Sequence, residues 1–296
     1  MDSLIIISTG SLVAICGSIL GCFLILRKMA MVSDAISHAV LPGIVIAFML
    51  GSDLDSVWML VGAGLVGVLT TFLIEFFHQK GKLQTDAAIG VTFTWLFAIG
   101  VILVTYYAGD AHIDQDCVLY GEIAYTPINP IILKNGTVLG PKALIVLGAV
   151  LLIIVLIVSL FYKEFFLTTF DPSFALATGL SASLWHYVLM SLVSVTTVAS
   201  FESVGAILVV AFLIVPPASA YLLTTRLSHM ILLSCCFGVL SAIFGYYLAY
   251  AIDGSIAGAM ATVAGVIFGV VFAIAKYLEK RRAISNLEQM TLETSK

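Results

Sequence analysis

Apolar runs of about 20 residues, the length that spans a bilayer core as a helix, repeat along the whole chain and are separated by short stretches that gather most of the charge. The pattern predicts spans near 4–26, 34–51, 57–78, 86–107, 143–162, 184–201, 203–224, 229–251 and 255–276. That makes nine, with eight to ten allowed. The second run is short and broken by proline, and only Glu202 separates the sixth from the seventh. The first run has neither a positive n-region nor an A-x-A site, so it reads as a retained helix rather than a signal peptide. The fold class is therefore an all-α polytopic membrane protein, a single transmembrane domain over 1–296 with a tail from about 277 to 296.

Composition agrees with this pattern. Hydrophobic residues make up 61% of the chain and charged residues 10%, with mean hydropathy +1.15, far above a soluble domain. The net charge of −4, with no long basic stretch, argues against a nucleic-acid partner. Four of the five cysteines lie in apolar runs without CxxC spacing, which excludes a zinc knuckle and gives no disulfide framework. Alternating the spans puts 11 of the 13 lysines and arginines on one side and only Lys134 and Lys142 on the other. The positive-inside rule makes the first side cytoplasmic, with the N-terminus outside and the C-terminus inside. The outer side then carries nine acids. Two of them, Asp114 and Asp116, alternate with His112 in a stretch read as a solvated loop.

Candidate chemistry begins in the second run. Asp34 and His38 are four residues apart, so a helix presents both on one face, where they can meet one cation. Pro42, beside Gly43, lacks an amide hydrogen and pushes away the carbonyl four residues back, that of His38. An ionisable residue inside a span normally faces water or a partner rather than lipid. The plainer reading makes Asp34 a helix cap and His38 a satisfied interhelical histidine. Pro216 and Pro217 predict a second break, and interrupted helices at membrane depth either line a transport path or kink for packing. Glu202 is a further metal candidate at an outer span end. Oxygen and imidazole donors without thiolate suit manganese, iron(II) or zinc.

Residues 170–180, FDPSFALATGL, specify a helix of about two turns. Asp171 suits the N-cap, Pro172 the first turn and Gly179 the left-handed position past the end. Too short to span, such a helix suits presentation to a cytosolic partner. No HExxH, GxSxG or GxxxxGK[ST] is present, so the chain is not read as an enzyme and binds no ATP by a phosphate loop. Active transport would need another subunit or an ion gradient.

These residues resemble the membrane permease of bacterial ATP-binding-cassette (ABC) importers for manganese, zinc or iron. The resemblance covers almost the whole chain and rests on LRKMAMVSDAISHAVLPGIVIAF at 26–48 and SFESVGAILVVAFLIVPPASAYLL at 200–223. DAAIGVTF at 86–93, HIDQDCVLYGEI at 112–123 and FDPSFALATG at 170–179 support it. It implies two cytosolic ATPases, a second permease copy (identical or a paralogue), an extracytoplasmic metal-binding protein and a bacterial cell-membrane location. It also implies that 171–179 is a coupling helix with Asp171, Ala175 and Gly179 in its characteristic positions, and that Asp34 and His38 belong to the metal path. The LPG tripeptide resembles the manganese branch. Glu202 stands where many relatives carry glutamine. The transported metal would be the only inorganic species involved, with no covalent cofactor. The competing readings are a gradient-driven secondary metal transporter and a non-transporting membrane scaffold.

Overall fold

The computed structural model of the protein describes residues 2–51, 57–107, 123–128, 130–132 and 138–294. His112, Asp114 and Asp116 lie outside the described residues, and so does the side chain of Glu202. The helices are α1 (Asp2–Leu26), α2 (Val32–Ala39), α3 (Leu41–Gly51), α4 (Val57–Gln79), α5 (Thr85–Tyr107) and α6 (Lys142–Leu160). There follow α7 (Tyr162–Phe170), α8 (Pro172–Ala177), α9 (Ala182–Val204), α10 (Ala206–Leu223), α11 (Leu227–Ile252) and α12 (Ile256–Thr294). Among the described residues, eight helices are long and apolar enough to cross a membrane. The shorter α2–α3 pair occupies the proline-broken second span.

Three boundaries differ from the sequence expectation. The division between the sixth and seventh spans falls at Gly205, whose φ of +78° and ψ of 163° suit glycine, so Glu202 belongs to α9. Helix α12 continues to Thr294, through the stretch expected to be a tail. A short antiparallel pair, β1 (Pro130–Ile132) with β2 (Val138–Pro141), and a 3₁₀ turn over Ile123–Ile128 occur where only a loop was expected.

Helix α1 lies at the centre, packed on α6, α10 and α11, with Leu20, Phe23 and Leu24 fully buried. Its Ser18 hydroxyl donates to the Ser234 carbonyl of α11 at 3.1 Å. The face toward α10 corrects the expectation that Pro216 and Pro217 break their helix. Helix α10 runs through both prolines, and both are buried. Each proline deprives the carbonyl four residues earlier of a helical donor, leaving those of Phe212 and Leu213. Gly17 and Gly21 of α1 cover them: a Cβ at Gly17 would stand 3.1 Å from the Phe212 oxygen, and one at Gly21 only 2.0 Å from the Leu213 oxygen. Small residues that let backbones approach are how membrane helices cover such groups.

The Gly21→Ala variant therefore forces α1 and α10 apart. Overpacking of this kind costs about 1–3 kcal/mol, measurable as lower thermal stability in detergent. Gly148→Ala, where an added Cβ meets nothing within 4 Å, should leave stability unchanged or raise it.

Candidate functional site

Asp34 and His38 come together as the four-residue spacing requires. The Asp34 Oδ1 to His38 Nε2 distance is 3.7 Å, and the His38 and Asp34 side chains keep 35% and 39% of their surface exposed. Asp34 is not the cap of its helix: the N-cap of α2 is Met31, and no side chain caps it. The carboxylate is thus left for other work. The pair is too far apart for a hydrogen bond. Bonds of about 2.1 Å from one cation to each atom allow a separation of up to about 4.2 Å, so the two can share a metal as they stand. Phe93 and Phe97 of α5 flank the imidazole, with ring centroids 6.0 and 6.1 Å away. No cluster of three or more histidine, cysteine or acidic residues occurs among the described residues, which offer two such side chains there.

The helix is interrupted just beyond them, beside Pro42, as the sequence predicts. Helix α2 ends at Ala39, and the Gly43 amide turns to the Val40 carbonyl at 2.9 Å. Pro42 and Gly43 are nonetheless buried between helices. A Cβ on Gly43 would lie 2.6 Å from the Gly62 oxygen of α4, and one on Gly100 of α5 would lie 2.9 Å from Pro42 Cδ. The neighbours hold this interruption in place.

Helix α8 is capped at both ends as its sequence specifies. The Phe174 amide donates to Asp171 Oδ1 at 2.9 Å, and Pro172 occupies the first turn. At the other end Gly179 has φ +84°, its amide donates to the Leu176 carbonyl at 3.1 Å, and the Leu180 amide donates to the Ala175 carbonyl at 2.9 Å. This is the double-bonded termination that a left-handed residue permits. Ala175 is fully buried toward the bundle, whereas Phe170, Phe174 and Leu176 are 49%, 55% and 63% exposed. The helix presents an apolar outer surface on a rigid base.

Beneath α8 lies a polar junction that sequence reasoning missed. Arg27, just past α1, donates from Nε to the Thr169 hydroxyl at 3.1 Å and from Nη2 to the Thr168 hydroxyl at 3.0 Å. Burial lowers its guanidinium to about 10, still cationic at neutral pH. Nearby, Glu75 of α4 and His186 of α9 stand 3.5 Å apart, and Gln79 donates to Glu75. Their separation of more than 100 residues left no local sequence signal. The one available sign was an acid, Glu75, near the end of an otherwise apolar run.

Comparison with known proteins matches residues 4–275 to the family described as the ABC 3 transport family. The chain is 53% identical over 244 residues to the manganese transport system membrane protein MntD of Bacillus subtilis (strain 168), covering 82% of each chain. It is 42% identical over 243 residues to the zinc transport system membrane protein TroD of Treponema pallidum (strain Nichols), covering 82% of this chain and 66% of that one. Its fold matches the solved structure of PsaBC from Streptococcus pneumoniae in complex with Fab, with TM-score 0.77, 32% identity and 94% of each chain covered. From the sequence match, the agreement in fold and the membrane-crossing helices together, the chain belongs to the ABC 3 transport family and is a multi-pass metal ABC transporter permease.

Proposed function

We propose that this permease moves a divalent transition metal inward, manganese first and zinc second, using ATP hydrolysed by separate cytosolic subunits. The observation that carries the reading is the Asp34–His38 pair, half-buried and 3.7 Å apart, on a helix interrupted beside Pro42. Identity to a manganese transport membrane protein supports the order of metals, and that to a zinc transport membrane protein keeps zinc as the second substrate. Manganese and zinc both accept carboxylate and imidazole, so the donor types do not separate them.

In this reading the chain is one permease domain over 1–296. Its partners are two ATPases, a second permease copy and an extracytoplasmic metal-binding protein. The lysine and arginine bias places the α8 end in the bacterial cytoplasm, with the N-terminus outside. Asp34 and His38 supply two donors. Water, Glu202 or the second permease copy completes the coordination. Helix α8 seats its exposed Phe174 and Leu176 against the ATPase, while Asp171, Ala175 and Gly179 shape and anchor it.

The test is uptake of Mn(II) into vesicles containing the chain with its ATPase. ATP-dependent accumulation supports the reading, whereas accumulation driven by an ion gradient without ATP supports a secondary transporter and overturns it. Asp34→Ala and His38→Ala should each abolish Mn(II) uptake while the assembly stays intact in size-exclusion chromatography. Asp171→Ala removes a cap worth about 1 kcal/mol, so the Phe174 amide should exchange hydrogen about fivefold faster. Import per ATP hydrolysed should fall in the same variant with Mn(II) binding unchanged. A Gly179→Val variant, which forces a branched side chain to φ +84°, should do so more severely.

A further inference from the structure

We propose that Arg27 is a positioning residue that carries displacement of α8 to the helix bearing Asp34 and His38, through its paired hydrogen bonds to Thr168 and Thr169. This rests on the permease reading above and names the route by which the α8 end would act on the metal-bearing face.

On the α8 side the connection is short. The Asp171 amide, at the N-cap of α8, donates to the Leu167 carbonyl of α7 at 2.9 Å, so α8 continues directly from the last turn of α7. Thr168 and Thr169 lie in that turn. Arg27 holds both hydroxyls, and the Thr168 hydroxyl in turn donates to the Glu164 carbonyl at 2.8 Å. Phe23 of α1 meets Phe165 of α7 with ring centroids 5.6 Å apart. A planar guanidinium can engage two acceptors at once, and burial keeps water from replacing them cheaply.

On the α2 side the backbone is bonded at successive steps. The Lys28 amide donates to the Ile25 carbonyl at 3.0 Å and the Met29 amide to the Leu24 carbonyl at 2.9 Å. The Val32 amide then donates to the Met29 carbonyl at 3.1 Å, opening α2. Lys28 sits at φ +58°, a conformation that costs a non-glycine residue free energy and persists where surrounding bonds over-determine it. Asp34 follows two residues after Val32. A shift of the α7–α8 corner is thereby transmitted to the first turn of α2 through Arg27 and a braced turn.

The experiment uses the complete assembly in vesicles, with Mn(II) as probe, and measures import, ATP hydrolysis and retained ATPase in one preparation. Arg27→Met should keep the ATPase bound and hydrolysing while Mn(II) imported per ATP falls at least about tenfold, the scale expected for losing two charge-assisted hydrogen bonds. Thr168→Val with Thr169→Val should reproduce that loss without removing a charge, and combining them with Arg27→Met should add little. Arg27→Lys, able to engage one hydroxyl well, should fall between. An unchanged import-to-hydrolysis ratio in Arg27→Met overturns the proposal. So does a normal ratio in the threonine variant, or a loss that tracks reduced thermal stability or lost ATPase. A wild-type assembly that imports no Mn(II) brings down the permease reading and this inference together, whereas a coupled wild type with an equally coupled Arg27→Met removes the inference alone.

Discussion

Helix α10 can carry Pro216 and Pro217 at membrane depth only because α1 presents glycine to it. Two consecutive prolines leave two carbonyls without their helical donors, and in hydrocarbon an unsatisfied backbone group costs several kcal/mol, on the order of the stability available to a helix pair. Gly17 and Gly21 let α1 approach the Phe212 and Leu213 carbonyls closely enough to exclude lipid from them. This contact fixes α1 against α10. Its other faces then meet α6 and α11. Its end delivers Arg27 to the α7–α8 corner.

What could be read from the sequence was whatever depends on neighbours within a few residues. Span existence follows from run length. The caps of α8 follow from Asp171, Pro172 and Gly179, each acting on backbone within one turn. The Asp34–His38 pairing follows from helical spacing, and the interruption beside Pro42 from the missing amide. The fate of Pro216 and Pro217 was not legible, since the residues that cover them lie almost 200 positions earlier and consist of an absence of side chain. Glu202 looked like a boundary because charge marks a span end. The chain instead turns at Gly205, where backbone conformation rather than polarity decides.

The same logic explains why the candidate site was half legible. Sequence spacing can place two donors on one helix, but it cannot say which other elements face them. The structure supplies the aromatic wall, Phe93 and Phe97, and removes capping as the occupation of Asp34. In the proposed metal path, two half-buried donors from one chain would be half of what a tightly held cation needs. For a transport site that is an advantage: a cargo ion must leave as readily as it enters, and a site completed only when a second element approaches can release when that element withdraws.

Prolines inside transport helices invite a description as hinges, yet both proline sites here are buried and closely packed. Pro42 and Gly43 are gripped by Gly100 and Gly62, and Pro216 and Pro217 by the glycine face of α1. Flexing at either place would uncover carbonyls or drive backbone into backbone. Interiors packed this closely favour discrete rearrangements of whole elements over continuous bending. Contacts made by side chains lie elsewhere: the Ser194 hydroxyl of α9 on the Gly64 carbonyl of α4 at 3.2 Å, and the Glu75–His186 pair. Bonds of that kind can break on one side of a movement and form on the other. Enclosed in this way, the prolines hold the shape of the helix face that carries Asp34 and His38.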